Sequence, residues 1–312
     1  MELFSKQTNI DFIRRLPMAY VLSALLIIIS IGSLATRSLN FGLDFTGGTL
    51  IQLQYADAPE INDIRTALSD GGFDDAVVQT FGTTRDIVVR IAPRGDTSSA
   101  DLSTQVVSAL RSSNVGEMEL GRVEFVGPQI GSELRDQGGL AMVYVLIGIL
   151  IYIAMRFQWR FSLGAVLALV HDLVITFGFL SVFQVEFDLT VVAAILAVLG
   201  YSLNDTIVVF DRIRENFRTM RKGGPKDVIN TSVNQTLSRT IMTSCTTLIV
   251  LIVLFYLGGS IIHAFAYTLI IGVLIGTYSS IFVASAAVLK LGVSKQDLIP
   301  VQKEGEALDE MP

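Results

Sequence analysis

Six long apolar runs leave this chain of 312 residues almost no choice of environment. Met18–Ala35, Gly138–Met155, Phe161–Phe183, Leu189–Phe210, Thr240–Leu257 and Ala264–Leu289 each approach or exceed the roughly 20 residues a helix needs to cross the hydrocarbon core. Charged residues make up 17% of the chain, against about 25% in soluble domains, and all but Asp172 and Asp205 lie between the runs rather than within them. The reading is an α-helical polytopic membrane protein, with the lipid bilayer as its first partner. The first run exceeds the roughly 7–15 residues of a signal-peptide core, so it reads as an uncleaved span. A net charge of −6 argues against nucleic acid as a partner.

Lys and Arg mark the cytoplasmic side of a membrane protein. They occur before span one (Lys6, Arg14, Arg15), between spans two and three (Arg156, Arg160) and densely between spans four and five (Arg212 to Arg239). Gln184–Asp188 and Gly258–His263 contain none. Both termini are therefore expected in the cytoplasm, and the stretch after span one outside. The expected division is a cytoplasmic tail (1–17), span one (18–36), an outer domain (37–136), a five-helix bundle (137–290) with a cytoplasmic loop at 211–239, and a disordered cytoplasmic tail (291–312).

In the outer domain, Thr49–Tyr55 alternates like a strand, and Pro59–Ser69 has the apolar spacing of a helix opened by Pro59. Ala76–Phe81 and Asp86–Ile91 read as a hairpin around Gly82-Thr83-Thr84. Ser99–Arg111 reads as a second helix and Glu119–Val126 as a last strand. The βαββαβ order predicts a small ferredoxin-like α+β domain. It contains no His, no Cys and no phosphate-binding glycine loop, and Gly47-Gly48 reads as a turn between span one and the domain. No enzyme, cofactor or metal site is expected.

Charges at membrane depth are costly and need partners or a wet cavity. Asp205 in span four lies six residues, about 9 Å, deeper than Asp211. Ser202 is three residues earlier on its face, and Asn204 adjoins it. Arg239 opens span five, and Thr243, Thr246 and Thr247 continue its face. Spans four and five run antiparallel, so Asp205 and Arg239 can lie at similar depth. Two readings stand side by side: a carboxylate whose protonation switches with the nearness of a cation, or a static ion pair. Taken alone, Arg239 also reads as an interfacial anchor. Asp172, beside His171 in span three, is either a second relay group or a helix–helix hydrogen-bond partner. His263 reads as an interfacial loop residue, and Cys245 as a small packing residue that cannot form a bridge within the chain. Gly272/Gly276 and Ala193/Ala197 are small pairs suited to close helix packing.

Several of these residues fall into longer motifs: Asn40-Phe41-Gly42-Leu43-Asp44-Phe45-Thr46-Gly47-Gly48-Thr49, Val126-Gly127-Pro128-Gln129-Ile130-Gly131, His171-Asp172, Gly200-Tyr201-Ser202-Leu203-Asn204-Asp205-Thr206 continuing to Arg212, and Asn234-Gln235-Thr236-Leu237-Ser238-Arg239-Thr240. With these motifs the chain resembles the SecF family of bacterial protein-export membrane proteins, within the RND superfamily of proton-coupled transporters. The resemblance covers nearly the whole chain. It implies half of a twelve-helix unit completed by SecD in the bacterial inner membrane, associated with the SecYEG channel and YajC. It further implies use of the proton motive force to promote late steps in the export of an unfolded polypeptide. Asp205 and Arg239 would carry the proton relay, with Asn204, Ser202, Thr243 and Asp172 in support. Half of an efflux pump and a non-energised translocon scaffold are the alternatives.

Overall fold

A computed structural model describes residues 8–81, 83–94, 99–113 and 115–294; Lys6, Gly82 and the tail from 295 to 312 lie outside them. The chain enters through α1 (Phe12–Arg37), capped by Asp11, whose carboxylate accepts the Arg14 N–H at 2.9 Å. An inserted domain follows, with β1 (Asn40–Phe41), α2 (Leu43–Thr46), β2 (Gly48–Tyr55), α3 (Ile61–Asp70), β3 (Val77–Phe81), β4 (Thr83–Ile91), α4 (Ser99–Ser112) and β5 (Met118–Val126). Then come α5 (Pro128–Arg156), α6 (Trp159–Val182), β6 (Glu186–Phe187), α7 (Leu189–Thr219), α8 (Pro225–Leu257), α9 (Gly259–Ser279) and α10 (Ser285–Lys290). Between α9 and α10 the helix widens into a π turn at Ser280–Ala284, and the three pieces form one continuous span. Six helices among the described residues are long and apolar enough to cross a membrane.

α6, α7 and the α9–α10 span form the centre, while α1, α5 and α8 flank it and expose most of their apolar surface. That exposure is what a bilayer would cover, since lipid is as apolar as leucine. Close approach relies on glycine. A Cβ on Gly178 would collide with Ser30 of α1, and one on Gly272 with Val198 of α7. The expected Gly272/Gly276 packing face is thus used, whereas Ala193 and Ala197 are exposed on α7.

The segment 211–239, expected as a loop, is helical except for residues 220–224. Ile213 and Phe217 of α7 and Val228, Ile229 and Val233 of α8 carry a buried apolar stripe past the membrane-length runs. The Asn216 amide also donates to the Ser232 hydroxyl and to the Gln235 side-chain oxygen, each at 2.8 Å. Pro59 precedes α3 instead of opening it. His263 is not in a loop but in the first turns of α9, its ring 4.1 Å from that of Phe255. Cys245 is exposed rather than packed.

The inserted domain has the expected βαββαβ order in β2 to β5. Its sheet runs β3-β4-β2-β5 with every neighbouring pair antiparallel. One face buries Ile51, Leu53, Ile87 and Val89 against Ile64 and Leu68 of α3 and Val106 and Leu110 of α4. The domain meets the bundle at a crossing of its two connections. Gly47 and Gly48 have φ of +66° and +121°, which side chains rarely adopt, and a Cβ on Gly48 would strike the Ile91 carbonyl. Gly131 of α5 packs on Gly47. The sequence did not announce a third attachment. β1 pairs in parallel with β6, and the Asp44 carboxylate accepts the Leu189 N–H at 3.0 Å, capping α7 together with Asp188. Arg90 of β4 forms an ion pair of 2.5 Å with Glu186 of β6.

Candidate functional site

Two carboxylates are buried in the bundle, each met by hydroxyls from other helices. Asp205 of α7 is 6% exposed. It accepts a hydrogen bond from the Thr240 hydroxyl of α8 at 2.7 Å and another from Ser280 at the π turn. Asp172 of α6 is 1% exposed. Its Oδ2 accepts from Ser202 of α7 at 2.5 Å and from Ser279 of α9 at 2.7 Å, and its Oδ1 lies 2.9 Å from His171 Nδ1.

The sequence sets this geometry with few devices. Ser202 and Asp205 are three apart, hence on one side of α7, and reach different partners. Gly276 rests on Ser202, which lets the α9 backbone approach closely enough for Ser279 to reach Asp172. Ser279 and Ser280 are consecutive where α-helical pairing gives way to the π turn, so adjacent residues serve the two carboxylates. π turns recur at functional sites. On α8 the buried stripe is Thr236, Thr240 and Ser244, at intervals of four. Ser244 joins Tyr201 at 3.0 Å and Thr277 at 2.6 Å.

The hydrogen bonds continue from Asp172 towards α1. His171 Nε2 lies 3.0 Å from Ser23 Oγ, which lies 2.9 Å from the Tyr278 hydroxyl, and that hydroxyl donates to the Ala19 carbonyl at 2.7 Å. This chain holds either protonation state of the imidazole without an orphaned group. With neutral His171, Nδ1–H donates to Asp172 and the Ser23 O–H donates to Nε2. With the cation, Nε2–H donates to Ser23, whose own O–H turns to Tyr278.

The expected partners of Asp205 rearrange. Arg239 is exposed and makes no ion pair with Asp205; Thr240, the next residue, occupies the inward position. Thr243 is also exposed, and its hydroxyl bonds back to the Arg239 and Thr240 carbonyls of its own helix. Asn204 faces outward. Ser202 serves Asp172 rather than Asp205. The reason is the rotation of α8 and α7: apolar residues on nearly all sides of a membrane helix give no signal for which polar stripe turns inward. Ser23, Ser279, Ser280 and Tyr278 were missed, although the hydroxyl run Thr277-Tyr278-Ser279-Ser280 in mid-span was the available signal.

The family model "Protein export membrane protein SecD/SecF, C-terminal" matches residues 105–294, and "SecD/SecF GG Motif" matches residues 32–58. The chain is 53% identical to the protein translocase subunit SecF of Vibrio alginolyticus over 313 residues, covering 100% of this chain and 99% of that one. It is 49% identical to the SecF of Pseudomonas aeruginosa, covering 97% and 98%. The crystal structure of SecDF, a translocon-associated membrane protein from Thermus thermophilus, superposes with a TM-score of 0.81 at 37% identity, over 93% of this chain but only 39% of the SecDF chain. From the glycine crossing to the last span, this chain belongs to the SecF family of protein translocase subunits.

Proposed function

We propose that this chain is the SecF-type half of a SecDF machine in the bacterial inner membrane, with both termini cytoplasmic, and that it converts proton passage at Asp205 into movement of the inserted domain on the periplasmic side. It acts as a non-catalytic transport component that promotes late steps of polypeptide export, alongside SecYEG and YajC. The observation that carries this reading is Asp205 itself: a buried carboxylate held only by two hydroxyls, with Arg239 one residue from one of them. Adjacent helical residues point about 100° apart, so a rotation of α8 by that amount exchanges the Thr240 hydroxyl for the Arg239 guanidinium. Protonation of Asp205 favours the hydroxyl-bonded arrangement and ionisation favours the cation. One charge crossing 100 mV supplies about 2.3 kcal/mol, enough to bias a two-state element roughly 50-fold.

The SecD half has a place to bind. Ala193, Ala197, Gly200 and Asn204 form an exposed, small-residue stripe on α7, and Arg239, Thr243 and Thr246 are exposed on α8. Lipid cannot satisfy Asn204 and Arg239 but a second helical half can, and the small Ala193, Ala197 and Gly200 allow it close approach. The test is export and proton flux in inverted vesicles containing the complex. Asp205→Asn should assemble normally and lose the proton-dependent part of export. Wild-type export and flux from that variant would defeat the proposal and leave a scaffold role.

A further inference from the structure

A groove of 380 Å³ lies between α1, α6 and the α9–α10 span. Its size falls within the roughly 300–1,000 Å³ of ligand sites. The walls are apolar: Ala24 and Ile27 of α1, Leu167 of α6, and Phe282, Val283 and Ala287 of the last span. The two ends differ. The deep end is the His171–Ser23–Tyr278 hydrogen-bond chain. At the other end the Lys290 ammonium sits 4.1 Å from the centre of the exposed Tyr20 ring. Tyr278 and Lys290 are 12 positions apart, so the groove follows the last span for about 18 Å.

We infer that this groove holds one acyl chain of an anionic phospholipid, with its headgroup on Lys290. Four observations select that occupant. The walls offer nothing to a polar ligand. Leu167 and Tyr20 at the rim are exposed on the side a bilayer covers. Lys290 has no carboxylate partner among the described residues. Arg14 and Arg15, exposed where α1 begins, add positive charge at the same end of the bundle. A neutral lipid makes no use of Lys290, and a small soluble anion makes no use of the walls. Basic sites of this kind at helix ends hold anionic headgroups. The terminal methyl abuts Ser23 and Tyr278, so the lipid closes the membrane-side approach to His171.

The test uses the full chain purified with its partner subunit and reconstituted in nanodiscs of equal phosphatidylglycerol and phosphatidylethanolamine, followed by mild detergent extraction and native mass spectrometry. The wild type should retain phosphatidylglycerol several-fold over its bulk share. Lys290→Glu and Ala24→Phe, which fills the groove, should each abolish that enrichment, and Lys290→Arg should keep it. Lys290 is exposed, so its variants decide the matter even if Ala24→Phe fails to fold. Retention in the bulk ratio by the wild type, or unchanged enrichment in Lys290→Glu, overturns the inference. So does recovery of only a free fatty acid, or a groove covered by the partner subunit.

Discussion

Asp172 and Asp205 are both buried carboxylates on central helices, yet they are furnished differently. Asp172 has an imidazole and two serines around it, and its hydrogen bonds lead on through Ser23 and Tyr278 to α1. Asp205 has two hydroxyls, and Arg239, its nearest candidate cation, makes no ion pair with it. A carboxylate with a titratable partner in fixed geometry suits a structural junction that tolerates a proton. A carboxylate held by hydroxyls alone suits a position whose charge changes as a helix moves. The two are linked mechanically, since Ser202 and Asp205 share α7 and Ser279 and Ser280 are neighbours at the π turn.

The sharpest break in this comparison should come from paired amide substitutions. Asp205→Asn is expected to eliminate proton-dependent export while changing the thermal midpoint little. Asp172→Asn is expected to keep part of that export but to lose about 1–3 kcal/mol of stability, because three buried hydrogen bonds are weakened or lost. Vesicle export and thermal unfolding of the same preparations read both, and equal losses in the two variants would erase the distinction. Next, Arg239→Ala should remove most of the proton-dependent export with a stability change within about 0.5 kcal/mol, as expected of an exposed residue. If Arg239 is only an interfacial anchor, export stays normal. Smaller again are Ser279→Ala and Ser280→Ala, each expected to cost about 1 kcal/mol. Only Ser280→Ala should shift the pH profile of export; a shift in both would place one titrating unit across the two sites.

Glu186 calibrates what a cation does for a half-buried carboxyl outside the membrane-spanning segments. Burial raises its pKa above the ordinary glutamate value, and the Arg90 ion pair together with the Leu43 backbone contact only partly opposes this, while Asp188 adds to the rise. The folded value exceeds the unfolded one, so this stabilising contribution is complete below the ordinary glutamate value and disappears as pH rises through the raised one. The thermal midpoint should fall slightly over that interval, and Glu186→Gln should flatten the slope. An identical slope in the variant would remove Glu186 as its source.

Much of the fold was legible because its signals are local. Alternation in Thr49–Tyr55, helical spacing in Ile61–Leu68 and the six apolar runs each describe one element. What escaped depends on other elements. The extensions of α7 and α8 beyond the apolar runs rest on Phe217 and Val228–Val233 packing together. The orientation of α8, which decides between Arg239 and Thr240, rests on the helices around it. β1 and β6 have two residues each, too few for any periodicity. The carboxylates were visible as charges in apolar runs; their hydroxyl partners were not, because serine and threonine also occur in spans as unremarked packing residues.

The Asp44 cap on α7 has a mechanical meaning. α7 carries Asp205 near its middle and receives one of its first free N–H groups' partners from the base of the inserted domain. Leu189 and Asp205 are 16 residues apart, about 24 Å along a single unbroken helix. α7 is therefore one continuous strut with its outer end seated in the domain's footing. With the glycine crossing as a second bearing, the domain is not a tethered float that drifts on two strings. An axial slide or tilt of the strut at the carboxylate has to be taken up at the footing, as displacement of the domain or as rupture of the Asp44 seat.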